Sequence, residues 1–352
     1  MKAFSVTWYE KLRKLDYIVL AAVLGLTLMS LLTLAGAAND IGTKYFYVQL
    51  GAAVLGFVAM AVISTIDYEE VADRFSVFLF VIGVLMLGVT LLIGTGDGNK
   101  SWIRFSWLPI GIQPSEFVKV LYIVSFSKHI SLVRDRINHP LSLLKLGAHA
   151  GIIIGLIMLQ GDLGSALVFM FMTAYCAGLS FWYFLAAAGV IVAAAPFLWE
   201  HLADYQQRRI IAGFHPESDP TDKGFQALMS RNAIAAGGFF GIGFSGGTEY
   251  QKVPYVHTDF IFAITSEKFG FFGALLVILM LCVLVVRALV LAQKMRGSYA
   301  STMCVGVAAV LVAQSAENLG MCLARLPVVG ITLPFMSYGG SSMVASYCLI
   351  GI

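Results

Sequence analysis

Residues 163–199 read LGSALVFMFMTAYCAGLSFWYFLAAAGVIVAAAPFLW, 37 positions without one charged side chain. As a single helix this stretch would be about 55 Å long at 1.5 Å per residue. That is nearly twice a hydrocarbon core of roughly 30 Å. It therefore reads as two membrane-spanning helices that turn near Gly178-Leu179-Ser180. Composition agrees: of 352 residues 59% are hydrophobic and 12% charged, more apolar surface than a soluble domain of this size needs. A formal charge of +3 is too small to argue for nucleic acid. The cysteines (Cys176, Cys282, Cys304, Cys322 and Cys348) lie in apolar runs without a CxxC pair, so they read as packing residues rather than a disulfide or zinc framework.

Outward from that stretch, charged residues mark the ends of further apolar runs. They cover residues 17–38, 45–66, 75–96, 115–130 (interrupted by Glu116 and Lys119) and 141–159 on one side. On the other side they cover about 259–286, about 297–321, and a last run after Pro334 that is still apolar at Ile352. The expected fold is an all-α polytopic membrane protein, one domain over residues 1–352 with ten transmembrane helices. No signal-peptide cleavage pattern precedes the first span, so its retention is expected. The apolar ending leads us to expect a cytoplasmic tail beyond it. Basic residues of the short loops (Lys128, Arg134, Arg136, Lys145, Arg287, Lys294, Arg296) put the N-terminus in the cytoplasm. Residues 200–258, between helices 7 and 8, then form a large extracellular loop without a strong helix or strand pattern. Such a loop is uncommon unless functional.

Four polar clusters carry candidate chemistry. Val256-His257-Thr258-Asp259-Phe260 sets a carboxylate just before a long apolar run; Asp259 reads either as a chemical group or as an N-cap of the next helix. Gln113-Pro114-Ser115-Glu116 is a helix start, and Glu116 and Lys119 share one helical face, as a functional or purely structural ion pair. Asp162, between two glycines' turns in Gln160-Gly161-Asp162-Leu163-Gly164, reads first as a cap. In the long loop the adjacent Arg208 and Arg209 suit a phosphate fork, although a bare arginine pair more often anchors to solvent or headgroups. Finally Gln314, Glu317 and Asn318 sit in the ninth run, ahead of Leu333-Pro334-Phe335-Met336-Ser337-Tyr338-Gly339-Gly340, which breaks the backbone before the tenth. Irregular backbone at membrane depth is tolerated where protein buries it or a cavity wets it. A polar groove and interhelical hydrogen bonding are both compatible with this pattern.

Together these motifs resemble the SEDS family (RodA, FtsW, SpoVE), polytopic polymerases of bacterial peptidoglycan. The resemblance runs over nearly the whole chain, through Gln113 to Glu116 with Lys119, Asp162-Leu163-Gly164, Tyr205-Gln206 with Arg209-Ile210, Gly224 to Gln226, His257 to Phe262, Gln314 with Asn318, and Leu333 to Ser342. The chain departs from the family pattern at Gly161, Phe225, Val253-Pro254-Tyr255, Lys268 after Glu267, and Glu317.

The resemblance implies a lipid II polymerase at the outer face of the bacterial cytoplasmic membrane. Asp259 would be the general base, and Arg209, Arg208, Lys119, His257, Gln314 and Ser337 would bind substrate or its pyrophosphate. Glu116, Asp162, Glu267 and Asn318 would be structural or supporting. An α-linked donor and a β-linked product imply inversion without a covalent glycosyl-enzyme. The resemblance also allows a divalent cation, Mg or Mn, though no ligand spacing in the sequence demands one, and it implies no organic cofactor. It implies membrane lipid and a class B penicillin-binding protein as partners. A lipid II flippase and a non-catalytic scaffold are the alternatives. Within the family, the short segment before Leu15-Asp16-Tyr17 leans towards the elongation member RodA, and Gln251-Lys252 towards division.

Overall fold

The computed structural model describes residues 16–96, 99–104, 111–177, 211–218 and 223–352, with scattered positions between 189 and 207. Among the described residues its helices of more than ten residues are α1 (Tyr17–Gly36), α2 (Thr43–Ile63), α3 (Tyr68–Ile93), α4 (Pro114–Val133), α5 (Pro140–Leu159) and α6 (Leu163–Ala177), then α7 (Lys223–Ala236), α8 (Ile261–Lys294), α9 (Ser298–Cys322) and α10 (Gly340–Gly351). Among the described residues, α1, α2, α3, α5, α8 and α9 are each long and apolar enough to cross a bilayer. The chain is a multi-pass membrane protein. The expected turn at Gly178-Leu179-Ser180 and the helix after it lie outside the described residues.

Helix starts follow local chemistry. Proline occupies the first turn of α4 and of α5, where a missing N–H costs nothing. Asp67 accepts from the N–H groups of Glu69 and Glu70, so α3 begins at Tyr68, ahead of the apolar run expected from Phe75. The charges of that first stretch are accommodated at the surface, Glu70 with Arg74 at 2.9 Å and Asp73 with Lys128. At the tenth run, the segment after Pro334 stays irregular until Gly340, because Phe335 takes a φ of 61° that a helix cannot continue.

Two expectations are corrected. The all-α reading misses a small hairpin, β1 (Ile103–Arg104) paired antiparallel with β2 (Gly111–Ile112). The long loop contains a helix, α7, whose small residues Ala227, Ser230 and Ala233 are buried at helical spacing. Ser230 donates to the Cys322 carbonyl at 2.9 Å, which docks α7 on the end of α9. Small residues give a weak apolar signal, so the periodicity was not legible.

Within the bundle α10 packs on α2, α8 lies between α9 and α1, and α9 also packs on α6 and α4. Close approach needs small residues. A Cβ on Gly56 would come within 2.5 Å of the Tyr347 ring, whose hydroxyl in turn meets the Thr27 hydroxyl at 2.9 Å.

Helix α8 is broken at Gly270, where φ is 67° and ψ −165°. The break frees backbone groups that the turn at residues 237–243 satisfies. Phe271 N–H donates to Gly238 O at 2.8 Å and Phe272 N–H to Phe239 O at 3.3 Å. In return the carbonyls of Glu267 and Lys268 accept from Ile242 and Gly243 at 2.9 and 3.1 Å. The loop is thus locked into the helix at its break.

Gly241 has no room for a side chain, since a Cβ there would sit 2.1 Å from the Lys268 carbonyl. Gly243 has an equally left-handed φ of 104° but open space around it. Gly243→Ala is expected to cost about 1–3 kcal/mol of backbone strain, and Gly241→Ala clearly more. Thermal unfolding in detergent checks this; equal losses would mean the interlock gives way freely.

Candidate active site

The site forms where α8 and α10 begin and α9 ends. Residues 253–260 approach α8 through turns, and Asp259 N–H donates to Tyr255 O at 3.1 Å. Because of that turn the helix starts one step later than expected. Phe260 occupies the N-cap position with no side-chain capping bond, so Asp259 is not the cap of α8. Its side chain is half-buried and lies against Gly330, where a Cβ would stand 3.4 Å from Asp259 Oδ2. Gly330 has φ 76°, so glycine serves both the turn and the approach to the carboxylate.

Asn318 holds this segment in place. It is fully buried on α9, and its Nδ2 donates to Asp259 O at 2.8 Å and to Ile331 O at 2.6 Å. One amide therefore sets the distance between the turn bearing Asp259 and the loop bearing Gly330. The Cys322 thiol, one turn on, also faces Asp259 O at 3.7 Å. Asn318→Ala is expected to leave two buried carbonyls short of a donor, costing about 1–3 kcal/mol, and to lower turnover by misplacing Asp259. Asn318→Asp is expected to lose activity as well, since a carboxylate cannot donate. Activity retained by either variant would separate Asn318 from the site.

The His257 ring packs tilted against Tyr45 from the start of α2, ring centroids 4.1 Å apart, with Tyr338 at 5.5 Å. Tyr338 N–H donates to His257 O at 2.9 Å, joining the two loops. Burial holds the His257 ring below its ordinary value, so it is neutral at pH 7 and able to accept or donate one hydrogen bond.

Residues 333–339 are held by groups that sequence reasoning passed over. Gln49, fully buried in α2, donates to Ser30 Oγ at 3.0 Å and to Ser337 O at 2.9 Å, and accepts from Gly339 N–H at 3.2 Å. Ser30 donates to Met336 O at 2.6 Å. A lone amide inside an apolar span was the available signal, because such a group requires partners. Ser337, which the resemblance offers as a substrate ligand, is buried, and its hydroxyl accepts from Leu333 N–H at 2.8 Å, closing the loop's own turn.

A second polar centre lies deeper. Lys119 and Glu116 pair at 2.8 Å with both side chains about 5% exposed. The three-residue spacing thus forms the ion pair it allowed, and Lys119, which the resemblance offers as a ligand of the diphosphate, is half of it, as a charge away from water requires. Gln314 lines the same small cavity as this pair. Asp162 caps α6 through Ser165 N–H at 3.0 Å and the Ser165 hydroxyl at 2.8 Å, and accepts from Gln113 Nε2 at 3.0 Å. Glu317 is within electrostatic reach of Lys119 and Asp162, and its buried Oε2 has no hydrogen-bond partner among the described residues. Asn318 and Gln314 are one turn apart on α9, so this helix connects the two centres.

Glu267 and Lys268 belong to the loop lock. Glu267 accepts from the N–H groups of Glu249 and Tyr250 at 2.9 and 2.7 Å; Lys268 donates to the carbonyls of Phe244 and Gly246 at 3.0 and 2.9 Å. The lysine that departs from the family pattern is thus consumed by backbone. Arg208 and Arg209 lie outside the described residues. Among the described residues no three His, Cys, Asp or Glu side chains are grouped to hold a metal ion.

Comparison with known proteins bears on this arrangement. The family of cell cycle proteins FtsW, RodA and SpoVE matches residues 13–352. A "Probable peptidoglycan glycosyltransferase FtsW" of Trichlorobacter lovleyi is 32% identical over 97% of this chain and 93% of its own length. The "Peptidoglycan glycosyltransferase MrdB" of Escherichia coli K12 is also 32% identical, over 98% and 94%. A solved chain from a peptidoglycan synthase complex, described as coordinating polymerization and crosslinking, superposes with a TM-score of 0.84 at 26% identity over 96% of both chains. The fold is shared as well with the rod shape determining protein RodA of Thermus thermophilus, with a TM-score of 0.71 at 23% identity over 96% and 95%.

Proposed function

Because the chain belongs to the cell cycle protein family of FtsW, RodA and SpoVE, we propose that it polymerises lipid II with Asp259 as general base. The chain is a peptidoglycan glycosyltransferase, the activity its relatives carry in their names. One observation carries the assignment of the base. Asp259 is the carboxylate that the fold positions by backbone clamps, with Asn318 on its carbonyl and Gly330 clearing space at its oxygen.

The reaction extends a glycan when a sugar 4-hydroxyl attacks the anomeric carbon of the lipid-linked donor. The new C–O bond forms as the anomeric C–O bond to the lipid diphosphate breaks, with inversion. Asp259 takes the hydroxyl proton, and the diphosphate leaves with the electron pair. Proton removal of this kind contributes about 10²–10⁴-fold. Developing charge on the leaving group needs cations. Arg209 and Arg208 supply them, while the Glu116–Lys119 pair and Gln314 form the polar floor beneath. His257, neutral and wedged against Tyr45, orients the saccharide by hydrogen bonding.

The same reading comprises ten spans, an N-terminus in the cytoplasm, and residues 200–258 on the outer side. Helices α4, α6 and α10, at three of the remaining apolar runs, support the count. The solved relative drawn from a synthase complex supports a class B penicillin-binding protein as partner, supplying the crosslinking step. We also assign the chain to elongation, which depletion tests: rounded cells are expected, and filaments would reassign it to division.

The decisive assay is purified protein given lipid II. Polymer formation is expected, and its loss in Asp259→Asn. Transbilayer movement of lipid II in vesicles without any polymer would replace this reading with a flippase.

A further inference from the structure

From Asn232 to Thr248 the chain carries no charged side chain, although this stretch belongs to the long loop rather than to a spanning run. Its turn at residues 237–244, which locks into the break of α8, leaves large apolar groups uncovered. Phe239 is 68% exposed and Phe240 83%, and Ile242 and Phe244 are exposed as well. A patch of this kind marks a surface that something apolar covers.

Contacts with α1 give the height of that turn. Asp16, ahead of α1, accepts from Arg287 Nε at 2.9 Å, so the start of α1 lies beside Arg287 of α8. At the other end of α1, a Cβ on Gly36 would stand 2.6 Å from the Phe244 carbonyl oxygen and 3.2 Å from Lys268 Cδ. Between the two lie the 20 residues of α1, about 30 Å of helix. That is the thickness of a hydrocarbon core. The turn therefore sits level with one edge of the core, and Asp16 and Arg287 mark the other.

The neighbouring surface already faces lipid. Residues 261–268 of α8 are all buried, whereas beyond Gly270 the helix exposes Phe271, Phe272, Leu276 and Leu279. The Phe239 and Phe271 rings lie 6.1 Å apart, and the Phe240 and Phe272 rings 5.5 Å. The turn thus continues the apolar face of a spanning helix.

We propose that the turn at residues 237–244 is a membrane anchor, with Phe239, Phe240 and Ile242 inserted among acyl chains at the edge of the core remote from Asp16 and Arg287. Lipid is the occupant because the face is continuous with the lipid-covered side of α8, lies level with the core's edge, and carries no charge that would select a protein partner. The anchor holds the break at Gly270 at a set depth and, through residues 261–269, the turn that bears Asp259. This inference does not depend on Asp259 acting as the base.

The test is the depth of a nitroxide label, read with the full chain in phosphatidylcholine nanodiscs that hold a single copy. Cys282→Ser and Cys304→Ser first remove the cysteines that are not buried. The label is then attached through Phe240→Cys or, in a second variant, Phe239→Cys. Val283→Cys, on the exposed side of α8, serves as the lipid reference, and Lys252→Cys as the aqueous one. Oxygen concentrates among acyl chains and a nickel chelate in water, so the ratio of their collisions with the label reports depth. Labels at 239 and 240 are expected to meet oxygen more often than the chelate, as at 283, while the label at 252 shows the reverse. Unfolding temperatures are expected to match the parent's, because the replaced rings lie mostly outside the packed chain. Labels at 239 and 240 as open to the chelate as the one at 252 overturn the proposal by placing the turn in water. Low access to both reagents overturns it too, since protein then covers the face.

Discussion

Asp259→Asn is expected to lower lipid II polymerisation by about 10²–10⁴-fold while leaving the fold and lipid II binding intact. The substitution keeps the side chain's size beside Gly330 and does not touch the carbonyl that Asn318 and Cys322 grip. What it removes is the ability to accept a proton from the incoming 4-hydroxyl. The loss should therefore appear in turnover rather than in KM, because an interaction made only in the transition state lowers kcat and kcat/KM together. Thermal unfolding of the variant in detergent is expected to match wild type. A variant that polymerises at the wild-type rate would remove Asp259 from the chemistry, whatever the clamps around it do. A variant that unfolds early would instead make Asp259 a structural group.

Lys119→Met is expected to destabilise the protein by about 3–5 kcal/mol, the cost of leaving one buried charge without its partner. Glu116 would then stand about 5% exposed, with Glu317 and Asp162 as further carboxylates nearby and no cation at 2.8 Å. The double variant Lys119→Met with Glu116→Gln is expected to recover much of that stability, because neither remaining group is charged. Its activity distinguishes two parts for the pair. If the double variant is stable and still polymerises lipid II, the pair is scaffolding. Restored stability without activity would mean that the cavity beside Gln314 needs the charge itself. A double variant no more stable than Lys119→Met would refute the account of a mutually neutralising pair.

The two experiments probe different centres joined by α9, and Asn318 is the hinge between them. Its amide reaches Asp259 at one end of the chain segment and Ile331 at the other, while Gln314 one turn away faces the Glu116–Lys119 cavity. Coupling between the two centres would run through α9 itself, and a double-mutant cycle on Asp259 and Lys119 measures it.

Much of this was written in the order of the residues. Long apolar runs closed by charges announce helices that lipid must solvate, since no other environment accepts them. Proline at the first turn of α4 and α5, Asp67 and Asp162 ahead of α3 and α6, and the three-residue spacing of Glu116 and Lys119 are local relations, and local relations survive in a bare sequence. Family likeness added which carboxylate to watch. Tertiary structure decided the rest. It took Asp259 off the cap, broke α8 at Gly270 to admit a loop, turned Ser337 inward, and brought Gln49 against Ser337 and Gly339 across nearly the whole chain. Hydropathy measures what each segment prefers as solvent; it carries no record of which polar groups meet once the segments pack, and a site built from such meetings exists only in the folded bundle.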